Sequence, residues 1–149
     1  MMIGHPDCTY LSRAGIGFII NNPERQEKCR QAAIFFNKLL HASIHRIAIE
    51  NPIQHRFARE YIRKYDQIIN PFMFGESEWK KTCLWLVNLP LLNPSVALWN
   101  IPQPIFTDYT GTKRFFTDHF APSKDRKLNR SRTFISIAAA MAEQWNYLI

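Results

Sequence analysis

IAIENP, residues 47–52, is the stretch on which the fold class turns. Ile47-Ala48-Ile49 is a short β-branched run of the kind that forms a buried strand, and Glu50-Asn51-Pro52 is a turn signal that ends it. Met1 to Gly4 forms another short strand, which runs at GHPDCTYL, residues 4–11, into a turn presenting a cysteine. Residues 9–28 are loop-like, with Gly15, Gly17 and the Asn21-Asn22-Pro23 breaker. From about Glu24 to Leu40 the apolar residues Ala32, Ala33, Phe35, Phe36, Leu39 and Leu40 recur at helical spacing, with charges on the other face. Strands alternating with helices indicate an α/β fold with a mostly parallel sheet. In such sheets, sites lie in the loops beyond the carboxyl ends of the strands. Cys8 and Glu50 both hold that position, and together they are the sharpest constellation in the chain.

Outward from these strands, His55 to Tyr65 reads as a second helix, rich in basic residues. DQIINPFMF (66–74) is an apolar strand that closes at Gly75, and KTCLWLVNLP (81–90) is another that ends at Pro90. The two can pair as a hairpin across ESEWK. From Leu91 to Arg132 the pattern dissolves into Pro, Asn, Thr and aromatics; within it FTDYT and FTDHF echo each other and suggest two short hairpin arms. RTFISIAAAMAEQWNYL (132–148) is an amphipathic closing helix, preceded by the basic stretch SKDRKLNRSR.

The 149 residues fit a single domain that comprises a catalytic-half sheet with its helices (1–90), an irregular basic and aromatic insertion (91–132) and the closing helix (133–149). The longest apolar runs fall well short of a membrane span, and no secretory signal is visible. Three cysteines without CxxC spacing argue against a disulfide framework and for a reducing compartment, hence a cytoplasmic location. A net charge of +7 favours an acidic partner, of which nucleic acid is the commonest. His41 and His45 lack the glutamate of a helical zinc motif, so no metal is expected.

Taken together, GHPDCTYL, IAIENP, DQIINPFMFGESEWKKTCLWLVNLP and RSRTFISIAAAMAEQW resemble the cytosine-5 DNA methyltransferase-like proteins common in bacteriophages. The resemblance runs over nearly the whole chain and is weakest between Leu91 and Lys127. It implies a partial Rossmann-like, S-adenosylmethionine-dependent methyltransferase fold with a C-terminal hairpin and a terminal helix. Cys8 would be the nucleophile that adds to carbon 6 of cytosine, and protonated Glu50 would donate to the adjacent ring nitrogen. Asn51 and Pro52 belong to the loop that holds the exocyclic amine, and Thr82 stands in the matching KKTCLWL strand. Lys80, Arg130 and Arg132 would hold phosphates. The target base must leave the stack, so DNA is the implied partner and S-adenosylmethionine the implied cofactor.

This sequence departs from the family in two respects. The family has proline directly before the cysteine, where this chain has Asp7, and a carboxylate beside a thiol disfavours the thiolate. The glycine-rich cofactor loop of the family's first half has no counterpart; Gly15-Ile-Gly17 follows the cysteine loop instead. The chain therefore reads as the second half of such an enzyme. A partner chain or a second copy would cover its first strand, or the gene start lies further upstream. The alternative is a non-catalytic descendant that keeps the fold and binds nucleic acid or protein. On that reading Cys8 is a small buried residue at a strand end, and Glu50 is a turn residue or helix cap. Cys29 and Cys83 read as core. The aromatics of FTDYTGTKRFFTDHF either stack on bases or pin a long loop.

Overall fold

Asn22 and Pro23 set the start of the longest helix. The Asn22 side chain accepts a hydrogen bond from the Arg25 backbone N–H, and Pro23 occupies the first turn, where a missing N–H loses nothing. The helix, α1 (Pro23–Leu40), buries Cys29, Ala33, Phe36 and Leu40 along one stripe. The structure, a computed structural model, describes residues 1–96, 106, 107, 109, 111, 113, 114 and 134–148. Among these, the chain divides into two compact units, Met1–Ile69 with Lys81–Leu91, and Asn70–Lys80 with Leu92–Ile149.

The first unit is an open four-stranded sheet of β1 (Met2–Gly4), β2 (Ile47–Pro52), β3 (Gln67–Ile69) and β4 (Thr82–Val87), in the order β1-β2-β4-β3. β1 pairs β2 in parallel, with Gly4 opposite Ile49. β4 runs antiparallel to both β2 and β3, with Asn51 opposite Cys83 and Pro52 opposite Thr82. Glu50-Asn51-Pro52 is therefore not the turn expected after Ile49 but the second half of β2, held extended by its ladder with β4. The expected α/β class and the β3–β4 hairpin are present. The expected predominance of parallel pairing is not: two of the three ladders are antiparallel. A parallel connection needs a long crossover, usually helical, and the segment between β3 and β4 holds only a single 3₁₀ turn, Pro71–Phe74. β4 therefore returns directly and lies between β2 and β3, which leaves β1, β2 and β3 running the same way.

Period-two alternation assigns the faces. Ile47 and Ile49 on β2, with Cys83 and Trp85 on β4, join Phe36, Ala33, Cys29 and Leu40 of α1 in one buried cluster. Trp85 is fully buried, its ring edge-on to Phe36 at 4.9 Å and to Tyr65 at 6.0 Å. The expected helix over His55–Tyr65 is only a 3₁₀ turn, Ala58–Glu60. Its carbonyls are taken by distant donors rather than by the next helical turn: Asn37 Nδ2 donates to Tyr61 O and Trp85 Nε1 to Arg63 O. The strand expected from DQIINPFMF ends at Ile69, and Gly75, at φ 99°, closes the turn that follows.

In the second unit, the terminal helix α2 (Ile135–Trp145) packs against the Pro71–Phe74 turn. Gln144 brackets the Asn93 backbone, accepting from its N–H at 2.8 Å and donating to its carbonyl at 2.9 Å. A short hairpin joins β5 (Phe106–Thr107) to β6 (Lys113–Arg114), with Gly111 at φ 76° in its turn. FTDYT thus supplies one arm, and the second arm lies before FTDHF, which is outside the described residues.

Candidate functional site

Because β1 and β2 are parallel and in register, the chain leaves both strands at the same end of the sheet, and the cysteine turn emerges beside Glu50 and Asn51. Successive residues of a strand point to opposite faces, so Glu50 and Asn51 lie on either side of the sheet. Each takes hold of the turn from its own side. On the face away from α1, the Glu50 carboxylate meets His5 Nδ1 at 3.0 Å. On the α1 face, Asn51 Nδ2 donates to the Pro6 carbonyl at 2.8 Å. Glu50 is 14% exposed, and a carboxylate withdrawn this far from water needs a partner. The hydrogen bond to Glu50 raises the His5 pKa above its ordinary value, burial opposes this, and the Glu50 charge adds to the rise. The charged form of His5 is thus favoured against the Glu50 carboxylate.

The turn itself is closed by Asp7. Its Oδ1 accepts from the Thr9 N–H at 2.8 Å and from the Thr9 hydroxyl at 2.6 Å, while the Cys8 carbonyl accepts from the N–H groups of Leu11 and Ser12. An aspartate bonded two residues ahead is an ordinary turn former, and this is a structural use for the residue that departs from the family pattern. Cys8 is half-buried in the turn. The other two thiols are core groups, as the sequence implies: burial, with a smaller contribution from Glu60, pushes Cys29 up, and burial pushes Cys83 to about 12.

The remaining candidates separate. Pro52 and Thr82 stand opposite each other in the β2–β4 ladder, on the same face as Glu50, and Thr82 is buried. Lys80 belongs to the second unit, where its ammonium stands 5.6 Å from the Phe134 ring centroid. Arg130 and Arg132 lie outside the described residues. His5 completes the pair with Glu50 but carries no sequence signal beyond its nearness to Cys8. Asp7-x-Thr9 does carry one, an aspartate two residues before a hydroxyl in a loop.

Gly15 and Gly17 lie in a 3₁₀ segment, Arg13–Phe18, and neither has a positive φ. A Cβ at Gly15 would stand 3.1 Å from the Thr9 carbonyl, so the missing side chain admits the cysteine turn rather than a ligand. Among the described residues no helix is long and apolar enough to cross a membrane. No protein-family model, curated protein or solved structure matches the chain.

Proposed function

We propose that the chain is the catalytic half of a DNA cytosine-5 methyltransferase-like protein, with Cys8 as nucleophile and Glu50 as proton donor to the base. The observation that carries this reading is the double grip on the cysteine turn, by Glu50 through His5 and by Asn51 through Pro6. It ties the turn that carries the half-buried Cys8 to Glu50 and Asn51 at one end of a parallel strand pair, which supports the reading. The one-way course of β1, β2 and β3, closed by the β3–β4 hairpin, supports the same Rossmann-like reading.

In this chemistry the Cys8 thiolate forms a bond to carbon 6 of an extruded cytosine. The electrons of the 5,6 double bond move through the ring toward its N3, which takes the proton of the Glu50 carboxyl. Glu50 is a carboxylate before transfer, and the His5 imidazolium supplies it with the proton it passes on. Carbon 5 is then nucleophilic, and in water it takes up a solvent proton. Loss of its original hydrogen to water, return of the N3 proton to Glu50 and expulsion of the Cys8 thiolate restore the base. S-adenosylmethionine is the methyl donor by resemblance only, and the steps above run without it.

The test follows from that independence. An oligonucleotide carrying deuterium at cytosine carbon 5 is incubated with the chain, without a methyl donor. Exchange into water that is abolished by Cys8→Ser and reduced by Glu50→Gln is the expected result. Bound oligonucleotide with no exchange would overturn the catalytic reading.

A further inference from the structure

Beside the cysteine turn, one cation is held by rings instead of by acids. The Arg25 guanidinium lies 5.8 Å from the Tyr10 ring centroid and 5.5 Å from that of Phe18. It forms no ion pair with any described residue, whereas Arg30 and Arg63 are each bound to a carboxylate three residues away. Phe18 is 68% exposed although it has the guanidinium near it, so much of its ring faces water. A large aromatic side chain left in solvent forgoes the roughly 2 kcal/mol its burial would contribute, and here it is exposed next to a cation.

The backbone fixes this stack close to Cys8. Tyr10 lies two residues beyond it, inside the turn whose carbonyl binds Leu11 and Ser12. The Gln26 side chain ties the start of α1 to this region, donating to the carbonyls of Ile19 and Ile20 just beyond Phe18. The same segment pairs with the one after β2: Arg13 N–H donates to Ile53 O and His55 N–H to Leu11 O. That second segment leads into another ring-held cation, Arg56, 4.9 Å from the Phe57 ring centroid. Arg56 likewise forms no ion pair with a described residue, and neither does the exposed Arg13. Guanidinium groups close to aromatic rings and outside ion pairs with the described residues match a polymer of flat bases and phosphates.

We propose that the Tyr10–Arg25–Phe18 stack is a nucleic-acid contact, in which the open face of Phe18 takes an unstacked base and the Arg25 guanidinium takes the adjoining phosphate. The inference deepens the reading above, since it names where the strand flanking a target cytosine would rest. It stands apart from that reading in its test, because binding does not depend on Cys8.

The experiment measures fluorescence anisotropy of a labelled single-stranded DNA 15-mer with the whole chain, at several salt concentrations. Phe18→Ala weakens binding by about fivefold or more, the loss of one base-stacking contact, and Phe18→Trp restores it. Arg25→Gln weakens binding and reduces the salt slope by about one. Lys64→Gln, which removes one exposed charge elsewhere, changes affinity by less than the Arg25 variant. Equal losses in the Arg25 and Lys64 variants, or a Phe18→Ala protein that is folded by circular dichroism and binds like the wild type, would overturn the proposal. So would a chain that binds no DNA. Stack-dependent binding without carbon-5 exchange would sink the catalytic reading alone, and exchange with no effect of Phe18→Ala would sink this one alone.

Discussion

Asn51→Ala separates positioning from stability. The Asn51 side chain is 2% exposed; its Nδ2 holds the Pro6 carbonyl, while its Oδ1 is buried without a partner among the described residues. Truncation removes one hydrogen bond, a loss of about 1 kcal/mol net. It also removes an unsatisfied acceptor whose burial disfavours the folded state by about 1–3 kcal/mol. The two effects oppose each other, and a small cavity adds to the loss. The expected change in unfolding free energy therefore lies within about 1 kcal/mol of zero, or a melting shift of roughly 2–4 °C at most for a chain of this size.

The turn responds differently, because the bond that clamps it from the α1 face is gone. The assay pairs urea denaturation, followed by tryptophan fluorescence, with the rate at which native protein reacts with a thiol-specific disulfide reagent. Cys29 and Cys83 are buried, so the native reaction reports Cys8. Asn51→Ala should keep its urea midpoint close to the wild type and react faster. Asn51→Asp would set a buried carboxylate against the Pro6 carbonyl and should destabilise by about 3 kcal/mol or more. A destabilisation above about 2 kcal/mol in the alanine variant, or an unchanged thiol rate, would refute the positioning argument.

Two further outcomes follow from the same geometry. Since Glu50 raises the His5 pKa, the folded state holds that proton more tightly than the unfolded chain, and the pair's contribution is fully present below 6.5 and lost as pH rises through the raised value. The stability difference between wild type and His5→Gln, at most about 1 kcal/mol because His5 is 46% exposed and solvent screens the pair, should shrink in thermal melts as pH rises above 6.5; a constant difference would contradict the pairing. Gly15→Ala should lower the melting temperature because its Cβ would press on the Thr9 backbone oxygen, whereas Gly17→Ala, which meets open space, should not. Equal effects at the two glycines would show that the 3.1 Å approach does not matter.

The parts of the fold legible in sequence were those set by local chemistry. Asn22-Pro23 with an apolar period specified α1, and the β-branched run Ile47–Ile49 specified β2. Where side chains reach across the structure, local pattern failed. His55–Tyr65 has the composition of a basic helix, yet Asn37 and Trp85 take the carbonyls that a helix needs. The Cys8 turn was legible because Gly4 and Pro6 mark the end of β1, but Glu50 was misplaced: Glu50-Asn51-Pro52 has the composition of a turn, yet its ladder with β4 keeps it in β2. His5 was not legible, since a single histidine in a turn gives no sign of what will face it.

The parallel expectation matters to the site in one ladder only. If β1 ran against β2 over the same residues, Gly4 would face Ile47, and His5 would fall beside Arg46. That is four residues from Glu50, or about 13 Å along the strand, and neither grip on the cysteine turn would form. The antiparallel ladders then do something a parallel sheet would not. Because β4 runs backwards, it contributes its first residues to the end where β1 and β2 finish, and Thr82 stands opposite Pro52. A parallel β4 in the same position would bring Val87 and Asn88 there instead of Thr82 and the exposed Lys81 that precedes it. The reversal that departs from the sequence expectation is thus what delivers a hydroxyl and a cation to the same edge as Glu50, Asn51 and the cysteine turn.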